Sequence, residues 1–252
     1  MRITLLFATI FLFSNAALAQ EQESELSVLL TKAIASEIRN PAEIERDRNR
    51  KPIDTLEFFG ITPNMKVMEL IPGGGWYTKL LAQVLREKGQ LTVSIGTSNV
   101  EENLLGLEGL DKVVVLRSGA EIGKSETPRL RTVAPFSFKG SKFDAVLTFR
   151  NVHNFDAAGR QSINQAVFKA LKPGGIYGVV DHTRRHMEPF NTENRRRADP
   201  VLTIKEIQQA GFVFVDYSDL HFRADDELRY EVGRKSVTGN TDRFTFLFRK
   251  SK

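Results

Sequence analysis

The 252-residue chain has no cysteine. Disulfide cross-links, thiolate nucleophiles and cysteine-ligated zinc are therefore excluded. Charge of either sign is in short surplus: 36 Lys and Arg stand against 31 Asp and Glu, a formal net charge of +5. That is far from the dense basic surface of a committed nucleic-acid binder. After the N-terminus no apolar run approaches the roughly twenty residues that span a bilayer. Internal repeats are absent, and no linker splits the chain. The rest of the composition, 41% hydrophobic with 18 Gly and 9 Pro, is that of a globular protein. The length suffices for one sizeable core or two small ones.

The first nineteen residues read as a secretory leader. Arg2 supplies the positive start, residues 3–13 are apolar except Thr4 and Thr9, and Ala17-Leu18-Ala19 is a small-x-small cleavage site before Gln20. Ser14 and Asn15 interrupt the run too early for a membrane anchor. No cysteine follows for lipid attachment. The expectation is a signal peptide over 1–19 and an exported mature chain without membrane attachment, in the periplasm of a Gram-negative bacterium. Residues 20–252 are then a single domain, with N-terminal helices over 20–59.

Leu26, Leu29, Leu30, Ala33, Ile34 and Ile38 recur at helical spacing, predicting a helix over 25–39. Pro41 opens a second helix, which carries the charged run 46–51. That run is either a solvated face or a cover for a site. From residue 60 strands and helices alternate. Strands are predicted at 66–71, 90–95, 112–116, 143–149 and 176–181, with helices at 76–88, 100–107, 160–171 and 203–210. Such alternation implies a parallel sheet with helices on both faces. The last strands, 212–217 and 243–248, have no helical pattern between them, which favours an antiparallel pair.

The first strand-to-helix turn carries the chemistry: Val67-Met68-Glu69-Leu70-Ile71-Pro72-Gly73-Gly74-Gly75-Trp76-Tyr77-Thr78. Glycines at such a turn let a ligand approach the backbone, and the helix N-terminus adds partial positive charge. The dinucleotide pattern G-x-G-x-x-G would need glycine at 78, which is Thr. An acid inside the strand followed by glycines resembles the first motif of class I S-adenosylmethionine-dependent methyltransferases, with Glu69, Gly73 and Gly75 in register. The run from Glu69 to Thr78, with Arg150-Asn151-Val152-His153 after strand four and Val180-Asp181-His182 after strand five, is similar to a group of predicted exported bacterial methyltransferases. The likeness covers roughly residues 45–250. It implies an α/β, Rossmann-like, seven-stranded, mostly parallel sheet closed by an antiparallel strand pair, with helices on both faces. It also implies S-adenosyl-L-methionine as cofactor, held by Glu69, Pro72, Gly73, Gly74, Gly75, Trp76, Tyr77 and Asn151. Two positions depart from the pattern: Ile71 stands at the first glycine, and Ser94-Ile95-Gly96 lacks the acid that binds ribose hydroxyls.

His153 and His182 fall beyond adjacent strand ends, where open parallel sheets bind ligands. Each is a candidate general base, with Asp181 as the carboxylate that orients a ring. The alternatives are a structural loop histidine and a loop salt bridge. His182 and His186 are four apart, but that spacing ligates a metal only on a helix, and no metal is expected. Residues 183–200 form a basic insertion with Arg184, Arg185, Arg195, Arg196 and Arg197. It is either a solvated loop or a lid whose arginines favour an anionic acceptor. The function expected is methyl transfer to a small-molecule acceptor. The competing reading is an exported ligand-binding protein that keeps the fold without the reaction. Nucleic-acid binding through the insertion lacks aromatic interleaving.

Overall fold

The computed structural model describes residues 24–140 and 142–251. The leader and its cleavage point lie outside the described residues. The first helix, α1 (Glu25–Ile34), is capped by the Ser24 hydroxyl, which accepts from the Ser27 N–H, and it buries Leu26, Leu30 and Ala33. It stops short of 39 because Arg39 folds back and donates to the Ile34 carbonyl, while Asn40 and Glu43 form a capping box for the next helix. The single helix expected from Pro41 is three short ones: α2 (Pro41–Ile44), α3 (Asp47–Arg50) and α4 (Pro52–Phe58). Pro52 has no N–H and disfavours helical geometry in the residue before it. Lys51 accordingly takes a left-handed φ of +38°.

The alternating region gives β1 (Lys66–Leu70), α5 (Trp76–Leu85), β2 (Gln90–Ser94), α6 (Ser98–Asn103) and β3 (Val114–Leu116). A small hairpin follows, β4 (Ile122–Lys124) with β5 (Arg131–Val133). It lies within a polar stretch, and its three-residue strands are too short to leave a periodic signal. Then come β6 (Phe143–Phe149), α7 (Ala157–Ala170), β7 (Leu171–His182), α8 (Pro200–Gln209), β8 (Phe212–Ser218) and β9 (Arg243–Lys250). Helix α7 starts at Ala157 rather than 160 because Asp156 caps it, and α8 starts at Pro200 because Asp199 does. The turn expected at 172–175 is an irregularity within β7, whose pairing with β6 jumps from Phe143↔Leu171 to Ala145↔Ile176.

The main sheet has seven strands in the order β3-β2-β1-β6-β7-β9-β8. β1 pairs in parallel with β2 and β6, β2 with β3, and β6 with β7; β9 runs antiparallel to both β7 and β8. Side chains alternate across the sheet, so β1, β6, β7 and β9 each feed two cores. Val67, Val93, Leu147 and Val180 pack under α1, α4 and α5. Met68, Leu70, Val146 and Val179 pack under α7 and α8, with Phe244, Phe246 and Phe248 of β9. The five parallel strands β1, β2, β3, β6 and β7 lift their carboxyl ends to one edge of this sandwich.

Candidate active site

At that edge the chain must leave three neighbouring strands abruptly. Ile71, Ile95 and Arg150 follow the last residues of β1, β2 and β6 and take left-handed φ values of +50°, +63° and +64°. Each costs about 1–2 kcal/mol for a side chain with a Cβ. Strain of this kind collects where a site imposes it. The surroundings hold the first two strands together: the Ile71 N–H donates to the Ser94 carbonyl at 2.9 Å.

The glycine turn continues with Gly73 at +58° and Gly75 at +74°. Gly75 caps α5 from behind. A Cβ on it would lie 2.1 Å from Leu104 Cδ1. Gly73 and Gly74 instead have nothing within 4 Å of such an atom, so their backbone is open to a ligand. Glu69 points from β1 to α5, where its carboxyl accepts from the Thr78 hydroxyl at 2.6 Å. Burial pushes Glu69 up to about 8, against the smaller pull of Thr78 and the Arg50 charge. The group is therefore protonated at neutral pH.

Glu69, Pro72, Gly73, Gly74, Trp76, Tyr77 and Asn151 line one cleft of about 900 Å³. Gly75 supports the turn from the far side. The walls are rigid. Tyr77 stacks on Phe149 with centroids 3.6 Å apart. Trp76 donates through Nε1 to the Glu43 carbonyl, and the guanidinium carbons of Arg39 and Arg50 lie 5.1 and 4.4 Å from its ring centroid. Asn151 Nδ2 reaches the Leu70 and Ile71 carbonyls and the Thr148 hydroxyl, each at 3.2 Å, and ties the loop after β6 to the glycine turn.

Three arginines that were not among the expected site residues also face this cleft: Arg46 and Arg50 of the charged run, and Arg150. The charged run 46–51 therefore divides. Arg46 and Arg50 line the cleft, while Arg48 is solvated beside Glu45. Burial, and then the charges of Arg150, Arg46 and Arg243, lower Arg50 to about 9, although Tyr77 opposes them.

The histidines form a separate cluster. His153 sits in a single 3-10 turn, Val152–Asn154. Its Nδ1 is 2.5 Å from Oδ1 of Asp181, and its backbone N–H donates to Oδ2 at 3.1 Å. Asp181 is wholly buried and also accepts from the His182 N–H at 2.7 Å. The His182 ring lies 5.9 Å from that of His153, with Nδ1 2.9 Å from the Thr241 hydroxyl. Burial, aided by Arg243 and His153, holds His182 well below the usual imidazole range. His153 opens on a second cavity of about 610 Å³, beside Arg160, Arg184, Asp199 and Glu206. Neither His153, Asp181 nor His182 lines the glycine cleft. His186 turns to Asp199, and no group of three or more potential metal ligands occurs among the described residues.

The basic insertion departs from the lid expected of it. Arg197 is fully buried and grips Asp226 through both terminal nitrogens, at 2.8 and 3.0 Å, as well as the Thr183 and Tyr230 carbonyls. Arg195 and Arg196 pair with Glu231, and Arg185 bonds the Glu227 carbonyl. Of the five, Arg184 and Arg197 reach the second cavity. Asp226 and Glu231 thus engage three of the five, Arg195, Arg196 and Arg197.

Solved structures share this architecture. An S-adenosylmethionine-dependent methyltransferase from Aquifex aeolicus superposes with a TM-score of 0.57 at 16% identity, over 87% of this chain and 97% of its own. A glycopeptide N-methyltransferase, MtfA, complexed with sinefungin follows at 0.54 and 14%, over 82% and 87%. The fold is that of the S-adenosylmethionine-dependent methyltransferases. The [4+2]-cyclase SpnF also has it, with a TM-score of 0.52 at 15% identity, over 90% of this chain and 93% of its own, so the methyltransferase fold does not dictate one reaction. By sequence, the chain is 32% identical over 127 residues to a Synechocystis sp. protein named an uncharacterized methyltransferase, covering 50% of this chain and 51% of that one. It is 29% identical over 133 residues to the ubiquinone/menaquinone biosynthesis C-methyltransferase UbiE of Shewanella woodyi, covering 52% and 47%. The chain thus spans about half the length of the curated relatives it matches. No protein-family model matches it.

Proposed function

We propose that the protein is an S-adenosylmethionine-dependent methyltransferase acting on a small-molecule acceptor. The observation that carries this reading is the open glycine turn: Gly73 and Gly74 present unobstructed backbone to a cleft that also holds Glu69. When bound, the cofactor supplies an activated methyl group. The residues present suit it in part. Gly73 and Gly74 admit close approach, and Glu69 is placed to pair with the cofactor's ammonium group once it gives up its proton. The end of β2 suits it less. Ser94 is spent on the Leu116 carbonyl, and the nearest downstream acid, Glu101, is held by Thr97 and Arg117.

The protein's own work is then to orient the acceptor, exclude water and take up its proton. The buried Asp181–His153 pair is our choice for the proton acceptor, with the carboxylate fixing the ring, and His182 as a neutral neighbour that packs against it. We further propose that the chain is exported, matures at Gln20 and works in the periplasm without nucleic-acid or membrane partners. Intact-mass measurement of protein made with its own leader tests this; a retained leader in the membrane fraction overturns it.

Calorimetric titration with S-adenosylmethionine and S-adenosylhomocysteine tests the main reading. Saturable binding of both is expected. If neither binds at millimolar concentration, the second reading replaces the first: an exported ligand-binding protein on a methyltransferase fold. That reading draws on the lack of any histidine or post-β2 carboxylate along the cleft.

A further inference from the structure

Arg46, Arg50 and Arg150 converge on the glycine cleft from different elements: α3 and the residue before it, and the loop after β6. None of their guanidinium groups has a carboxylate partner among the described residues. Arg50 is only 7% exposed. A buried cation without a counter-charge is costly, and removing a charge's partner commonly costs several kcal/mol. The expected remedy, Glu69, forms no ion pair with Arg50: the Glu69 carboxyl is turned to the Thr78 hydroxyl, and burial favours its neutral form. Glu43, at the cleft's rim, is already paired with Lys79 at 2.9 Å. Arg243 crowds the same region with an unpartnered Nε, its Nη1 spent on the Asn49 carbonyl.

The cofactor does not relieve this imbalance. Its sulfonium and ammonium groups outweigh its one carboxylate, so it brings further positive charge. Arg50 is thus buried with no ion pair, Arg150 is half-buried and feels the charge of Asp181 without an ion pair, and Arg46 reaches the cleft from the solvent-exposed side. The arginines expected to serve an anionic acceptor, at 195–197, are tied to Glu231 and Asp226.

We propose that Arg46, Arg50 and Arg150 bind an oxyanion of the acceptor, a phosphate or a carboxylate, separate from the cofactor's own carboxylate. The assignment of that anion to an acceptor rests on the methyl-transfer reading. Guanidinium groups suit such an anion because their planar forks donate two parallel hydrogen bonds to it.

The chain carries its own reporter. Trp76 is the only tryptophan, and the Arg50 guanidinium lies 4.4 Å from its ring centroid. Titration of the full chain with inorganic phosphate, and in parallel with malonate, is followed by tryptophan fluorescence at ionic strength matched with chloride. A saturable change is expected with at least one probe, and the tighter probe names the anion class. Arg46→Gln and Arg150→Gln should each weaken it about tenfold or more, Arg150→Lys less, and Arg195→Gln not at all, as charge-assisted hydrogen bonds are worth about 1.5–3 kcal/mol. The titration is repeated with saturating S-adenosylhomocysteine. Anion binding that persists supports a separate subsite. Mutual exclusion means that the arginines serve the cofactor's carboxylate, which overturns the proposal while leaving methyl transfer standing. No saturable change, or equal affinity in the Gln variants, also overturns it. Anion binding without any S-adenosylhomocysteine binding leaves the oxyanion site in place and removes the methyltransferase reading instead. Circular dichroism melts of each variant separate lost binding from lost folding.

Discussion

Neighbouring glycines in one turn do different jobs. Gly75 is left-handed at +74°, and its missing Cβ is the space that Leu104 fills. Gly75→Val is therefore expected to lower stability by about 2 kcal/mol or more through overpacking and backbone strain, and to abolish cofactor binding. Gly74 has no such φ and faces open space. Gly74→Ala should melt within a degree or two of wild type and still weaken S-adenosylhomocysteine binding, because the new methyl faces the ligand. Thermal melts with calorimetry read both; equal melting of the two variants would remove the distinction. His153 is a third case. If it is the base, His153→Asn should cut turnover by on the order of a hundredfold with cofactor affinity nearly intact, whereas His182→Asn should cost much less. Equal, small losses in both would leave the reaction to orientation alone.

At the scale of elements, the strands were the legible part. Parallel strands between two layers leave short apolar runs between turns, and β1, β2, β3, β6 and β7 stand in the sequence as such. The antiparallel end was legible too, because 218–242 carries no helical period. Breaks caused by one residue were not: Pro52 divides the segment from Pro41 to Phe58, whose charged run 45–51 carries no apolar spacing to mark where one helix ends and the next begins. Partnership across distance was least legible. The basic run 183–200 reads alike whether its arginines face a ligand or a second loop, and the acids that claim them lie about thirty residues on. For the cleft arginines a signal did exist, since Arg46 and Arg50 are one helical turn apart while Arg48 falls opposite. It needed the knowledge that this turn covers the cleft. The insertion's structural role has a direct consequence. Arg197 and Asp226 are both fully buried, so Arg197→Gln strands a carboxylate. It should cost about 3–5 kcal/mol, read by chemical denaturation. Arg195→Gln, with its longer, partly exposed contact to Glu231, should cost under about 1 kcal/mol. Comparable losses in the two would mean that the insertion is not anchored through Arg197.

Over the whole molecule, the buried titratable groups set opposite slopes of stability against pH. His182 lies well below the ordinary 6.5, and His221, buried between Thr245 and the Arg50 carbonyl, is lowered to about 4. Their neutral forms are favoured by folding, so the unfolded chain binds more protons once pH drops below 6.5. Their contribution is fully present above that value and is lost as pH falls toward the folded values. Glu69 works the other way. Its ordinary value of 4.5 is raised to about 8, so the folded chain holds the extra proton between those limits. Its contribution is present below 4.5 and is lost as pH rises toward 8. The unliganded protein should therefore be most stable between these two limbs, slightly on the acid side of neutrality. Glu69→Gln removes the alkaline limb. Melts taken from pH 5 to pH 8.5 should show the wild-type midpoint falling above neutrality and the variant's staying level, while in acid the variant falls more steeply, because in the wild type Glu69 offsets part of the histidine loss between 4.5 and 6.5. The same proton should appear in binding. A ligand that brings an ammonium group to Glu69 must expel it, so S-adenosylmethionine affinity should rise with pH toward 8, and the calorimetric enthalpy should depend on the buffer. In Glu69→Gln both dependences should vanish together. If they persist there, the proton comes from elsewhere and Glu69 does not meet the cofactor's ammonium group.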